Sequence, residues 1–302
     1  MYFNDLRDMV GRTPIIRLAR LEGMLGLGDE IYAMVESHNP TGSVKDRAAL
    51  RIITDALREG KIAVGGYVVE ATSGNMGVSL SCISALLGFR SVIVMPEGVS
   101  EEKIRLVRAY GGEVMLSDGA RGMVGAIELA RNIAAEREGY MPDQFNNPSS
   151  VLAHYDTTGP QILSSLGSID ALVCGVGSGG TLMGTGKYLR ERLPRVKIIA
   201  VEPYGSSVLS GGASGRHGIE GIGAGFVPPL YDAALTDRVM TVTDGAAEEI
   251  YHLIPRVEGL RVGMSSAAAL SAAIALSRQN DGRCIKILLP LPDSREKTLK
   301  SV

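Results

Sequence analysis

Short apolar runs alternate with stretches of helical periodicity along almost the whole chain. Tyr67–Glu70, Ser91–Met95, Glu113–Leu116, Ala171–Cys174, Lys197–Val201 and Arg283–Leu289 have the length and composition of buried strands. Between them, Val44–Arg58, Gly77–Leu87, Glu101–Tyr110, Gly122–Arg137, Leu182–Arg192, Ala246–Val257 and Ser266–Arg278 read as helices. Strands alternating with helices of this length imply parallel sheets joined by right-handed crossovers, and so an α/β class. Val262–Ser277 is rich in Ala and Ser, and its serines and flanking arginines favour a tightly packed helix over a membrane segment. Asp143–Ser150 is the most loop-like interior stretch and marks a domain junction, while Gly- and Ser-rich Tyr204–Gly225 reads as a second loop.

Composition narrows the partners. The chain has 302 residues, with 31 Lys plus Arg against 33 Asp plus Glu. That near-neutral balance argues against nucleic acid or a polybasic membrane contact. No apolar run approaches the roughly 18 residues that span a bilayer, and the N-terminal residues lack a signal-peptide pattern. Cys82, Cys174 and Cys284 are widely spaced in apolar surroundings, which predicts buried reduced thiols and a cytoplasmic protein. His38, His154, His217 and His252 do not fall at metal-ligand spacing, so no metal site is expected. Glycine is the outlier: there are 38, where average usage gives roughly 21.

Many of those glycines mark four segments placed where open α/β sheets bind ligands, beyond the carboxyl ends of strands. In Asn39–Arg47 a Pro-Thr-Gly turn leads into a helix whose first turn carries Lys45. A cation at the positive end of a helix dipole is under pressure to be neutral or covalently modified, which suits Schiff-base chemistry; a solvated surface lysine is the alternative. Glu70–Gly77 gathers two hydroxyls, an amide and helix N–H groups, a set suited to a carboxylate or phenolate oxygen, or to simple N-capping by Ser73 or Asn75. In Gly175–Thr181, Gly175, Gly177 and Gly180 satisfy GxGxxG, and Glu202 ends the next strand, as in a dinucleotide fingerprint. The same loop equally suits a single terminal phosphate or a structural turn. Tyr188 after Gly186-Lys187 excludes a Walker A motif. In Gly263–Ala267 a serine offers a hydroxyl to a ligand nitrogen or caps the Ala-rich helix. No GxSxG elbow supports serine hydrolysis.

Taken together, NPTGSVKDR, TSGNMG, DQFNNP, AHYDTTGP, GVGSGGT, GIGAGF and GMSS follow the order and approximate spacing of the cysteine synthase and cystathionine β-synthase family. The chain resembles these fold-type II pyridoxal-phosphate enzymes from Val10 to Lys297. The resemblance implies two domains, each with a mainly parallel twisted sheet flanked by helices, as in the tryptophan synthase β chain. Residues 1–147 would form the smaller domain with the substrate loop, an early segment near 11–36 crossing to the other. Residues 148–302 would form the larger domain with the phosphate loop.

By the same resemblance, Lys45 would form the internal aldimine with pyridoxal 5′-phosphate and Asn75 would contact its 3′ oxygen. Gly177, Ser178, Gly179, Gly180 and Thr181 would cradle its phosphate, and Ser265 would hydrogen-bond the pyridine nitrogen. Thr72, Ser73, Gly74 and Met76, with Gln144 and Gly221, would hold the amino-acid substrate. A dinucleotide-binding oxidoreductase becomes a remote alternative, since it gives Lys45, Asn75 and Ser265 no role. The implied activity is β-replacement on O-acetylserine or O-phosphoserine with sulfide, giving L-cysteine through an α-aminoacrylate, in a homodimer. Three departures stand out: Met76 for the usual Thr, Ala267 for Gly, and Arg295–Leu299 without the common Tyr. They leave open a second reading, in which L-cysteine is the donor and hydrogen sulfide and lanthionine or serine are the products. Asp232 would then be a base for the nucleophile, or else a surface loop carboxylate.

Overall fold

The computed structural model describes residues 2–294, so Arg295–Leu299 lies outside the described residues. The regular elements open with β1 (Ile15–Arg17), α1 (Ala19–Leu25), β2 (Glu30–Val35) and α2 (Lys45–Arg58). There follow β3 (Tyr67–Ala71), α3 (Asn75–Leu87), β4 (Arg90–Pro96), α4 (Glu101–Ala109), β5 (Glu113–Ser117) and α5 (Gly122–Glu136). The chain continues through α6 (Ser149–Asp156), α7 (Thr158–Leu166), β6 (Ala171–Gly175), α8 (Gly180–Arg192), β7 (Lys197–Pro203) and β8 (Arg238–Val242). It ends with α9 (Asp244–Glu258), α10 (Met264–Arg278) and β9 (Lys286–Leu291). Two compact units result, one holding the residues up to Arg12 with Asn39–Ser150, the other Thr13–His38 with the chain from Val151 on.

The first unit is built on a three-stranded parallel sheet, β3-β4-β5. Successive strand side chains point to opposite faces, and both faces here are covered. Val68, Ile93 and Met95 pack with Ile52 and Ile53 of α2 and Leu80 and Ile83 of α3. Val69, Ala71, Val92 and Val94 pack with Ala126, Ala130 and Ile133 of α5. The small residues of α3 let it lie close: a Cβ at Gly77 would sit 2.7 Å from Ile93 Cγ2.

The second unit carries a six-stranded sheet in the order β1-β2-β9-β6-β7-β8. Only β1 runs antiparallel to its neighbour. Ala171, Val173, Ile199, Val201, Ile287 and Leu289 face a core shared with α9 and α10, and the alternate residues Leu172, Cys174, Ile198, Ala200 and Leu288 face α7 and α8. The Ala/Ser stripe of α10 is therefore a packing surface, buried from Met264 through Leu270.

Pattern alone does not resolve β1, α1, β2, α6, α7 or β8. One strand is displaced: the expected Arg283–Leu289 begins only at Lys286 and runs to Leu291. It passes through Pro290, which lies beyond Leu288, the last residue paired with β6. That shift also corrects the expectation for Cys284. Cys82 and Cys174 are buried, but Cys284 precedes the strand and is exposed.

Close helix packing yields a stability prediction. A Cβ on Gly184 in α8 would lie 2.1 Å from the Val151 carbonyl oxygen of α6, whereas Gly23 in α1 has nothing within 4 Å. Gly184→Ala is expected to destabilise by about 1–3 kcal/mol through overpacking. Gly23→Ala is expected to stabilise by up to about 1 kcal/mol. Thermal unfolding of both variants against the parent checks the pair.

Candidate active site

In the first unit the Pro40–Ser43 turn is held from several sides. Gly42 adopts φ +80°, a left-handed conformation that favours glycine. Fully buried Asp46 accepts the Thr41 N–H at 2.8 Å and the Thr41 hydroxyl at 2.5 Å. The Thr41 hydroxyl is also 3.2 Å from Ser79 Oγ of α3. Lys45 is the first residue of α2, half-buried, with its N–H donating to Ser43 Oγ at 3.2 Å. The turn thus fixes where the lysine stem leaves the backbone.

The second segment joins β3 to α3. Its helix cap is Gly74, in extended conformation, which has no side chain to offer the first N–H groups. Capping by Ser73 or Asn75 is therefore not what the backbone adopts. Thr72 is buried and its Oγ1 accepts the Gly74 N–H at 3.1 Å. Met76 is only 1% exposed and sits in the core of this unit, so its side chain leaves the loop to backbone donors.

Gln144 is buried in the turn after Tyr140 and is steadied from two directions. Ser150 Oγ donates to its carbonyl at 3.2 Å, and the preceding Asp143, at φ +47°, donates its N–H to Glu70 Oε2 at 2.9 Å. Glu70, two residues before Thr72, is buried, and burial pushes its carboxyl up to about 8. The negative charge of Asp143 pushes the same way, against the backbone N–H groups of Asp143 and Gln144.

In the second unit the turn between β6 and α8 is a backbone cradle. Gly179 is the helix cap at φ +90°, and a Cβ on Gly177 would sit 2.6 Å from the Gly221 carbonyl oxygen. The 13-residue helix α8 opens at Gly180 with no cap side chain, so its N–H groups point into the turn beside Ser178 and Thr181. Behind them lies His154, 2% exposed, with Nε2 3.1 Å from Thr181 Oγ1 and Nδ1 2.8 Å from Thr158 Oγ1. α10 is likewise capped by a glycine, Gly263, which leaves Ser265 as its second residue and removes the capping alternative. Gly221, at φ +92°, passes close by: a Cβ there would be 3.6 Å from Ser265 Oγ. Asp232 is exposed and caps a short 3-10 turn by accepting the Ala234 N–H at 2.9 Å. Its neighbour Tyr231 lies against Gly179, whose Cβ would be 3.4 Å from the Tyr231 nitrogen.

Residues 6–292 match the family described as pyridoxal-phosphate dependent enzyme. This chain belongs to that family. Its class is α/β, fold-type II, and its cofactor is pyridoxal 5′-phosphate. The cysteine synthase of Staphylococcus aureus is 39% identical over 300 residues, 99% of this chain and 96% of the relative. The crystal structure of cysteine synthase from Entamoeba histolytica superposes with a TM-score of 0.94 at 33% identity, covering 100% of this chain and 90% of that one. A hydrogen sulfide-producing enzyme from Fusobacterium nucleatum superposes at 0.93 with 38% identity, covering 99% and 100%.

The residues present fit this group. A cradle that a Cβ would fill at Gly177, and a glycine-capped helix start, suit the phosphate of a pyridoxal enzyme, and the dinucleotide reading is left without support. Sequence reasoning assigned no task to His154 or Glu70. His154 belongs to the AHYDTTGP motif, but a motif does not show that its ring touches Thr181. From sequence, Glu70 is legible only as the end of a strand and the first residue of the segment that follows it.

Glu70 generates a pH prediction. Unfolded, its carboxyl titrates near 4.5; folded, at about 8. Between those values the folded protein holds a proton that the unfolded chain has released, so stability falls as pH rises through this window. Thermal unfolding between about pH 5 and pH 8 should show that fall in the parent. Glu70→Gln, which keeps an acceptor oxygen without titrating, should flatten it.

Proposed function

We propose that this protein makes L-cysteine by β-replacement on an O-activated L-serine, O-acetylserine or O-phosphoserine, with sulfide as the nucleophile. The observation that carries the reading is the likeness to a cysteine synthase, 39% identical across nearly the whole of both chains. The matching motifs coincide with a lysine at a helix start and two glycine-capped anion cradles. In this reading the first unit carries the substrate loop and the second the phosphate loop.

Bound pyridoxal phosphate supplies an electrophilic carbonyl carbon and a conjugated ring that spreads negative charge from the substrate Cα. Lys45 would hold it through its side-chain amine, and that amine would also serve as the base at the substrate Cα. That amine takes the Cα proton, the acetate or phosphate group leaves Cβ with its bonding electron pair, and hydrosulfide forms the new C–S bond there. Lys45 then returns the proton to Cα. Gly177, Ser178, Gly179, Gly180 and Thr181 would hold the phosphate through N–H groups and hydroxyls. His154 orients the Thr181 hydroxyl from behind. Asn75 would donate to the ring oxygen, and Ser265 would offer the ring nitrogen a neutral hydroxyl, which would not hold that nitrogen protonated as a carboxylate would. Thr72, Ser73, Gly74 and the backbone of Met76, with Gln144 and Gly221, seat the substrate.

One observation favours a second reading, in which L-cysteine is consumed to release hydrogen sulfide and leave lanthionine or serine. Met76 stands where the family resemblance expects a threonine hydroxyl, and its side chain is buried in the core, while the Fusobacterium hydrogen sulfide-producing enzyme is 38% identical. Asp232, on the segment lying against Gly179, would then act as base for the incoming water or thiol. We further place the protein in the cytoplasm as a homodimer; among the described residues no helix is long and apolar enough to cross a membrane.

Borohydride reduction followed by peptide mapping should find the cofactor adduct on Lys45. Lys45→Ala should lose that adduct and reduce turnover by about 10²–10⁴-fold, the span of a general acid–base group. An adduct on another residue overturns the assignment. Rapid mixing with O-acetylserine plus sulfide, and separately with L-cysteine, discriminates the two readings. Faster acetate release supports synthesis, and faster sulfide release supports breakdown.

A further inference from the structure

Lys103 lies in the first turn of α4, outside every motif that carries the family resemblance, yet it is only 9% exposed. A cation there opposes the helix dipole, and burying an ammonium is costly without compensation. Neither the helix nor desolvation explains the placement. Among its contacts, Nζ donates to the Ser73 carbonyl oxygen at 3.0 Å, and a Cβ on Gly74 would sit 3.9 Å from the same nitrogen.

The bond acts on one peptide plane. In a trans peptide the carbonyl of Ser73 and the N–H of Gly74 point in opposite directions. Lys103 holds the carbonyl end while Thr72 Oγ1 accepts the N–H end at 3.1 Å. Because its oxygen accepts there, the Thr72 hydroxyl proton is turned away from Gly74 and is available as a donor. The next residues, Asn75 and Met76, open the 13-residue helix α3 behind a cap with no side chain. The Ser73 carbonyl would otherwise be free to swing and present its negative end to an anion at this helix start. An ammonium on that carbonyl fixes the plane and brings a positive charge to the loop.

We propose that Lys103 is a positioning residue for the substrate: by clamping the Ser73–Gly74 peptide it sets the Thr72–Met76 loop to receive an α-carboxylate and supplies the charge that favours an anion there. The proposal rests on the substrate-loop assignment made above. It places the specificity for a free α-carboxylate partly in α4, on a residue that touches the loop backbone.

Binding without turnover tests it. L-alanine has no β-leaving group and alaninamide has no carboxylate, so spectroscopic titration of the cofactor-loaded enzyme with each isolates the carboxylate term. Lys103→Met should weaken L-alanine by about tenfold or more, the scale of a lost hydrogen bond to a charged group. Alaninamide affinity should be unchanged. In turnover, KM for the amino-acid donor should rise with little change in kcat, and Lys103→Arg should restore most of the affinity. Equal weakening of L-alanine and alaninamide, or no weakening of either, overturns the proposal. If Lys103→Met does not fold, Lys103→Gln, which keeps a donor but no charge, carries the same comparison. Borohydride trapping on Lys45 is run in parallel. Loss of the adduct in the parent enzyme refutes the cofactor assignment itself, whereas an intact adduct with unselective binding refutes only the role of Lys103.

Discussion

Three helices in this protein, α3, α8 and α10, begin behind a glycine. A helix start carries N–H groups with no partner in the helix and the positive end of its dipole. A side-chain cap would satisfy one of those groups; a glycine leaves them all to water or to an anion. The candidate site is organised around that constraint. At α8 the unsatisfied start meets a turn in which Gly177 admits no Cβ, at α3 it meets the Thr72 hydroxyl, and at α10 it places Ser265 one residue inside the helix. In the proposed function the open starts of α8 and α3 receive a phosphate and a carboxylate, and Ser265 at the start of α10 meets a ring nitrogen.

Backbone left open in this way has to be held by other means. Buried polar side chains do much of the holding. Asp46 accepts two donors of Thr41 and sets the turn before Lys45; Glu70 accepts the N–H of Asp143 and sets the turn that carries Gln144; Lys103 holds the Ser73 carbonyl. Glu202, 1% exposed, does the same for the chain after β7 by accepting from Leu209 and Ser210. A buried carboxyl group bonded to backbone N–H groups is an expensive way to fix a loop, since desolvation works against its charged form and keeps Glu70 protonated up to about pH 8. It fixes position without filling the space that a ligand needs.

The distribution of glycine follows from the same logic. Gly184 and Gly77 let helices approach a carbonyl and an isoleucine, Gly42 and Gly179 supply left-handed turns, and Gly177 keeps a carbonyl within reach. Close approach explains Gly77, Gly177 and Gly184, and left-handed turns explain Gly42 and Gly179, within a glycine content well above average.

By itself the sequence determined the α/β class, the buried strands and long helices, and the motif set that marks the family, because each depends on local periodicity or on a short run of residues. Lys45, Asn75, the Gly177–Thr181 turn and Ser265 stand out for that reason. Only the tertiary structure decided that Met76 belongs to the core and not the loop, that Cys284 is exposed, and that β9 starts after it. Only it revealed that His154 backs Thr181, that Glu70 holds Asp143, and that Lys103 reaches Ser73. These contacts join residues 27, 73 and 30 positions apart. Nothing local to either partner encodes them: each forms when strands and helices already packed by their apolar faces bring two distant polar groups within hydrogen-bond reach.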